Sequence, residues 1–367
     1  MGSEVVIVGG GIIGLLLARE LADAGCQVTL VERGALARES SWAGGGIVSP
    51  LYPWRYLPPV TALASWAQDF YPRLCAELRD ETGLDPEYLA SGLLMLAPED
   101  EAEALTWSAR HGRRAVRLNG GEARAQQPGI PETISSAVWM PEVAQVRPPR
   151  LTAALVASLR LRAKVRLLEH TEVLGFEREG ARLLALRTAQ GRVTGDEFVL
   201  CSGAWSGELG RLLGVELPIE PVRGQMLLFA TGPAALQRMV MWNGKYLIPR
   251  RDGQILVGST LERVGFDRLP TEAALNELYA AALAILPELA DYPLAGQWAG
   301  LRPGSPDGIP YIGKLPALDN AWINAGHFRN GVVLAPAATR LLRDLLSRAQ
   351  EPIVDPEPYA PATRRGL

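Results

Sequence analysis

Metal and disulfide chemistry have little to draw on in this sequence, whose 367 residues include only three cysteines and three histidines. Cys26, Cys75 and Cys201 stand singly without metal-ligand spacing, so neither a disulfide framework nor a cysteine metal site is expected. Basic excess is also missing. The 37 Lys and Arg face 40 Asp and Glu, a formal net charge of −3, with no basic run. Nucleic acid and anionic membrane surfaces, which are held largely by clustered Lys and Arg, are therefore excluded as main partners. The longest charge-free stretches, Val5–Ala18 and Ser40–Trp54, are rich in Gly or broken by Pro, and fall short of the roughly 20 apolar residues that span a bilayer. Met1-Gly2-Ser3-Glu4 carries no basic region ahead of its apolar run, so no signal peptide is expected and the expected location is cytoplasmic.

What is present suits a large core. The chain is 48% hydrophobic and 21% charged, and its length suggests two domains at roughly 100–200 residues each. Glu4–Val8 is a β-branched apolar run. A glycine-rich turn follows, and then Ile13–Ala24 carries apolar residues at helical spacing, with Gly25 placed as a C-terminal cap. Gln27–Val31 resumes as a strand, so the start is a strand–helix–strand unit of a parallel sheet. Helical patterns return at 65–83, 99–112, 150–163, 271–286 and 331–348. Short strands are expected at 92–97 and 138–140, and a small meander at 164–168, 173–177, 183–188 and 192–193, followed by an apolar strand Glu197–Cys201. From Pro221 to Ser259 the pattern is repeatedly β, and Ala321–Asn324 is a final strand. The tail from Glu351, with Pro352, Pro356, Pro358 and Pro361, is expected to be extended and poorly packed.

The first unit carries G-x-G-x-x-G at Gly9, Gly11 and Gly14, directly after a strand and opening a helix. The first glycine makes the turn, the second lets backbone approach a pyrophosphate, and the third lets the helix pack on the strand. Phosphate charge would meet the helix N-terminus. Glu32 closes the second strand, where a carboxylate can accept hydrogen bonds from ribose hydroxyls; an acid there disfavours a 2′-phosphate. FAD and NAD both remain open on these residues.

Three further stretches carry a resemblance: Arg38-Glu39-Ser40-Ser41-Trp42-Ala43-Gly44-Gly45-Gly46-Ile47-Val48-Ser49-Pro50, the segment Trp298–Gly313 around Arg302, and Asn324-Ala325-Gly326-His327-Phe328-Arg329-Asn330-Gly331-Val332. With them the sequence resembles the FAD-dependent D-amino-acid oxidase family, and within it the glycine oxidases of thiamine biosynthesis. The resemblance covers essentially the whole chain. It implies an α/β fold with a Rossmann-like FAD-binding domain of the GR2 type and a mostly antiparallel β-sheet substrate domain with helices. The expected ranges are 1–85, 141–220 and 299–367 for the first, and 86–140 and 221–298 for the second.

The resemblance also assigns residues. FAD contacts are implied for Gly9, Gly11, Ile12, Ile13, Gly14, Glu32 and Arg33 in the first unit, and for Glu39, Ser40, Gly44, Gly45 and Gly46 in the following loop. Val173 is placed at the adenine side and Gly203 at the turn after the strand ending in Cys201. His327, Phe328, Arg329, Asn330, Gly331, Val332 and Val333 are placed at the flavin's pyrimidine edge. Arg302 is implied to hold the substrate carboxylate by a two-point contact, which suits a planar guanidinium. Without the resemblance, a structural ion pair in a Pro/Gly-rich loop would be an equal reading of Arg302. Tyr246 is implied to support the same carboxylate, although a strand tyrosine is commonly core. Arg329 is placed at the flavin or at the substrate. No acid or base residue is implied, because hydride transfer from a neutral amine needs none.

The implied reaction is oxidation of glycine, and of sarcosine or small D-amino acids, to imine or glyoxylate with ammonia and hydrogen peroxide, oxygen being the acceptor and thiazole formation the destination. Met241-Trp242-Asn243-Gly244 stands where related glycine oxidases can carry an aromatic and a histidine, and Leu261 is placed at a pocket wall, so substrate size stays open. Monomeric sarcosine oxidases attach flavin through a cysteine in the C-terminal half; no cysteine follows Cys201, so FAD is expected to be noncovalent. An amino-acid dehydrogenase or sarcosine-type oxidase on the same fold, and a non-catalytic FAD-binding assembly factor, are the alternatives. A homo-oligomer is left open.

Overall fold

The computed structural model of the chain describes residues 3–232 and 235–364. Residues 1–2 and 365–367, at the ends of the ranges expected for the cofactor domain, and 233–234, within the range expected for the substrate domain, lie outside the described residues.

Six strands form the first sheet, in the order Tyr311–Lys314, Ala321–Ala325, Glu197–Leu200, Glu4–Val8, Gln27–Val31, Val165–Leu168. All neighbours are parallel except the first pair. The central strands are apolar runs because helices or strands cover both faces. On one face Ile7, Leu30 and Val199 pack against helices Ile12–Asp23, Pro58–Thr82, Pro148–Arg160 and Gly331–Leu346. On the other, Val6, Phe198 and Ile323 meet Leu183 and Leu186 of a three-stranded meander, Val173–Glu179, Arg182–Thr188 and Gly191–Thr194.

Val165–Leu168 was expected in that meander and instead extends the parallel sheet beside Gln27–Val31. It follows helix Pro148–Arg160, and a strand reached through a helix returns parallel to its neighbour; its short apolar run does not reveal this choice. The tail also departs from expectation. Tyr359 is fully buried and donates to the Pro59 carbonyl at 2.7 Å, and the Arg364 guanidinium reaches Asp307 at 2.6 Å and lies over the Tyr311 ring. One buried aromatic outweighs the prolines as a guide to packing.

The second sheet has eight strands, in the order Leu294–Gly304, Glu220–Ala230, Gln254–Gly258, Lys245–Pro249, Met239–Trp242, Leu93–Leu96, Ser136–Met140, Val116–Asn119. It is antiparallel except where Met239–Trp242 meets Leu93–Leu96. One face packs on helix Glu272–Ile285 through Leu227, Phe229, Val257 and Leu278. The other, with Met226, Tyr246 and Ile248, looks toward the first sheet's strand ends.

Two elements of this sheet differ from the sequence reading. Val116–Asn119 is a strand followed by a short helix, Gly120–Gln126, closed by reciprocal Asn119 and Glu122 hydrogen bonds. The Pro/Gly-rich stretch around Arg302 is the end of an eleven-residue edge strand, in register from Val222 opposite Arg302 to Glu220 opposite Gly304. Pro303 is tolerated because the strand has a neighbour on one side only. This strand runs continuously through position 298.

Candidate active site

A cavity of about 330 Å³ lies where the parallel strands end, lined by Val8, Val31, Cys201 and Ala325 from the first sheet and by Met226, Tyr246, Gly300 and Arg302 from the second. The carboxyl ends of parallel strands are where α/β sheets offer ligands a crevice.

The glycine-rich turn has the geometry its spacing predicts. Gly9 has φ +112°, a left-handed conformation that favours glycine, and a Cβ there would overlap the Cys201 carbonyl. A Cβ at Gly14 would overlap the Gly9 carbonyl, so this glycine lets the helix close on the turn; it is not among the lining residues. Gly11, Ile12 and Ile13 do line the cavity. Ser41 Oγ accepts the Ile12 N–H at 2.9 Å and so satisfies one donor of the helix N-terminus. Glu32 lines the cavity while its two oxygens accept N–H groups of Gly10 and Gly34 at 2.7 and 2.9 Å, which fixes the carboxylate at the end of its strand.

The loop after the second strand forms one wall. Ser40–Ala43 is a helical turn rather than an open loop, and Ser40, Gly44, Gly45 and Gly46 all face the cavity. Arg250, which carried no role in the sequence reading, holds this wall. Its guanidinium donates to the Gly45 carbonyl at 2.6 Å, to Gln145 Oε1 at 2.9 Å and to the Val146 carbonyl at 3.0 Å. Burial pushes it down to about 10, so it remains charged near neutral pH. At the outer rim Glu39 accepts from Arg33 at 3.2 Å and Arg268 at 2.7 Å, and Arg33 lies 3.7 Å over the Trp205 ring. Val173 and Gly203 line the same end.

At the other end Arg302 enters from the edge strand. Its Nη2 donates to Ser259 Oγ at 2.7 Å and its Nη1 to the Thr260 carbonyl at 3.1 Å. Burial lowers its pKa, and the positive charge of Arg329 lowers it further. The Tyr246 ring packs where Gly258 has no side chain, and its hydroxyl makes only a weak contact, 3.8 Å, with Met226 Sδ. Gly224 and the Ser259–Thr260 pair are the neighbours that sequence reasoning missed. An isolated glycine within the strand Glu220–Ala230 was the one available signal, since such a glycine marks a close approach.

The turn His327–Val333 lines the cavity and leads into helix Gly331–Leu346, whose positive end it presents there. Phe328 has a left-handed φ of +45° and Arg329 is exposed. His327 is buried, and burial pushes its imidazole down to about 3, so it is neutral. His327, Asn330 and Asn324 line the cavity, and their atoms Nε2, Nδ2 and Oδ1 are buried with no hydrogen-bond partner among the described residues. Unpaired buried polar atoms are costly, so their clustering marks the place of a polar ligand. Leu261, expected at a pocket wall, is exposed and outside the lining, because its chain has already left the strand Gln254–Gly258. Met241 is buried in the sheet's core and also does not line the cavity.

Residues 4–345 match the family described as FAD dependent oxidoreductase. The chain belongs to that family. It is 57% identical to the glycine oxidase of Pseudomonas aeruginosa over 99% of this chain and 100% of that protein. It is 32% identical over 94% of its length to the bifunctional protein ThiO/ThiG of Trichormus variabilis, covering 53% of that protein. The crystal structure of glycine oxidase from Geobacillus kaustophilus superposes with a TM-score of 0.92 at 31% identity, covering 100% of both chains. The cavity fits FAD by its own chemistry: a glycine turn at a helix N-terminus for a pyrophosphate, an acid at the second strand's end for a ribose, and unpartnered buried polar atoms for a heteroaromatic ring edge.

Proposed function

We propose that the chain is a glycine oxidase that holds FAD noncovalently in this cavity and uses oxygen as acceptor. The observation that carries the reading is Arg302. Its guanidinium is largely buried at the cavity's inner end, two N–H groups are committed to Ser259 and Thr260, and no described carboxylate forms an ion pair with it. A buried cation without a partner is costly, and a substrate carboxylate removes that cost while two of the three remaining N–H groups fix its orientation. Tyr246, with its hydroxyl nearly free, supplies a further donor to the same carboxylate.

FAD, when bound, supplies the hydride acceptor for the substrate's α-hydrogen and passes the electrons to oxygen. Glycine, oxygen and water then give glyoxylate, ammonia and hydrogen peroxide, through an imine that water hydrolyses. The protein's share is positioning. Arg302 and Tyr246 hold the carboxylate, the neutral His327 and the start of helix Gly331–Leu346 line the same cavity, and the amine binds in its neutral form. Gly9, Gly11, Ile12, Ile13, Glu32 and Arg33 serve the dinucleotide, with Gly14 supporting them through helix packing. The loop Glu39–Gly46, Val173, Gly203 and the turn His327–Val333 complete the cofactor site, and Arg329 is assigned to the cofactor or to the substrate. Sarcosine and small D-amino acids are secondary substrates.

Three free cysteines support a reducing, cytoplasmic setting, and no helix among the described residues is long and apolar enough to cross a membrane. The resemblance to thiamine-biosynthetic glycine oxidases and the ThiO/ThiG name of the bifunctional relative support thiazole formation as the destination of the product. Anaerobic mixing of purified holoenzyme with glycine, sarcosine and D-alanine tests the reading. Glycine should bleach the flavin absorbance, and oxygen should restore it with release of peroxide; absence of bleaching by all three overturns it. Acid denaturation should leave the flavin in the supernatant, whereas yellow precipitate would overturn noncovalent binding.

A further inference from the structure

Behind Arg302 lies a polar cluster that does not line the cavity, is buried except at Glu262, which is about a quarter exposed, and is not used by the proposed reaction. Thr260, whose carbonyl accepts from Arg302, donates its hydroxyl to Glu262 Oε1 at 2.5 Å and accepts the Gln225 N–H at 2.9 Å. Gln225 Nε2 donates to the same Oε1 at 3.0 Å. Glu262 Oε2 accepts from Arg223 Nη2 at 2.6 Å and Nε at 3.1 Å. Thr260, Gln225 and Arg223 are all buried, and Arg223 and Glu262 also exchange backbone hydrogen bonds at 2.8 and 2.9 Å.

We propose that Glu262 is a positioning residue for substrate binding, fixing the Ser259–Thr260 segment so that the Arg302 guanidinium presents two of its three unused N–H groups to a carboxylate in the cavity. The inference rests on the reading of Arg302 as the carboxylate site. Its physical basis is the freedom of the parts. Arginine has a long side chain with several rotatable bonds, so its direction is set by what holds its fork. Here the holders are one hydroxyl and one carbonyl on a segment that has just left the strand Gln254–Gly258. Backbone bonds between Arg223 and Glu262 and the Gln225 N–H on Thr260 pin that segment to the neighbouring strand, and the Glu262 carboxylate ties the Thr260 hydroxyl to Gln225 and Arg223. Both carboxylate oxygens accept two donors each, from three different residues, which fixes the anion in place as a stationary anchor. Burial opposes ionisation of Glu262, and hydrogen bonds from Thr260, Arg223 and Gln225 outweigh it, keeping the carboxyl below its usual range. The anchor is therefore charged wherever the enzyme would work.

The geometry separates this role from general support. The hydrogen-bonded route from Glu262 to Arg302 runs through Thr260, with the Glu262 charge also favouring the cationic guanidinium, and the cofactor end of the cavity has its own anchors in Arg250 and Glu32. Loosening Glu262 should therefore blur carboxylate recognition while leaving cofactor binding and the chemical step intact.

The test uses FAD-loaded wild type, Glu262→Gln, Thr260→Val and the double variant, with glycolate as a carboxylate probe read by its perturbation of flavin absorbance, and glycine for steady-state kinetics. Each single variant should raise the glycolate Kd and the glycine KM roughly tenfold while kcat at saturating glycine stays within about twofold. FAD affinity should match the wild type, and the double variant should be no weaker than the worse single one, because both changes cut the same link. Thr260→Val keeps the inference testable should Glu262→Gln fold poorly. Unchanged glycolate and glycine affinity in both variants overturns it. So does a parallel loss of kcat, FAD affinity and glycolate binding, which would mean general loosening. If the wild type itself neither binds glycolate nor is reduced by glycine, the reading of Arg302 fails first, a result distinct from failure of the positioning role alone.

Discussion

The Arg302 guanidinium lies in the space above Gly224 of the neighbouring strand, where the first carbon of any side chain would overlap its nitrogens. The two residues are diagonal neighbours, since Gly224 is paired with Gly300 and Arg302 with Val222. Gly224→Ala should therefore displace the guanidinium and lower kcat/KM for glycine about 100-fold, equivalent to about 3 kcal/mol, as Arg302→Ala should. Adding Gly224→Ala to Arg302→Ala should cost little more. Steady-state kinetics of the three variants decide this, and near wild-type activity of Gly224→Ala would refute the placement.

Tyr246 divides into a ring that packs and a hydroxyl that waits. The ring occupies the room left by Gly258 and borders Gly45, and among the described residues the hydroxyl has only the Met226 sulfur as a hydrogen-bond contact. Tyr246→Phe should keep the melting temperature within a degree or so of wild type and raise the glycine KM roughly fivefold to tenfold, the worth of about 1 kcal/mol for one hydrogen bond. A thermal melt and a substrate titration separate the two parts.

Arg250 holds three backbone or side-chain oxygens from the interior, including the Gly45 carbonyl. Arg250→Met fills similar volume and leaves those acceptors without donors, at roughly 1–3 kcal/mol each where they stay buried. The expected result is a lower melting temperature and FAD affinity weakened roughly tenfold or more. Fluorescence titration of the apoprotein with FAD measures it, and unaltered affinity would show that the Gly44–Gly46 wall does not need its anchor.

His327 makes stability depend on pH with a definite sign. Its folded pKa, about 3, lies below the ordinary imidazole value of 6.5, so the unfolded chain binds a proton that the folded chain refuses between those limits. Its contribution is constant above pH 6.5 and is lost as pH falls toward 3, at about 1.4 kcal/mol per unit. His327→Gln should flatten the fall in stability between pH 6 and 5, where most carboxylates are still ionised. Denaturant melts of both proteins at the two pH values check it; parallel slopes would count against a neutral buried imidazole.

What the sequence disclosed was local. Gly9, Gly11 and Gly14 announce their turn because each glycine answers a steric demand within a few residues, and the apolar strands around them alternate with a helix whose period is plain. Gly224, Arg250 and Glu262 were silent for the opposite reason. Their roles depend on partners that approach only when the sheet forms: Arg302 above Gly224, Gly45 beside Arg250, Thr260 beneath Glu262. Arg302 itself was singled out through resemblance, while its local setting was misread, since Pro303 and Gly304 suggest a loop until the edge position of their strand is known. Val165–Leu168 shows the same limit, because four residues cannot state which sheet they will join.

The strand order of the first sheet has a consequence in time. Glu4–Val8 lies beside Glu197–Leu200, which in turn needs Ala321–Ala325, and the turn His327–Val333 closes the cavity last. During synthesis the glycine turn precedes the turn His327–Val333 by about 300 residues, so the surface it serves is complete only long after the glycine turn has been made. Cofactor cannot template the early stages, and the edge of Glu4–Val8 stays uncovered until distant segments arrive, a slow step for contacts so far apart in sequence. Yield of folded protein should therefore be governed by protection of the growing chain, with flavin supply acting only on the finished one.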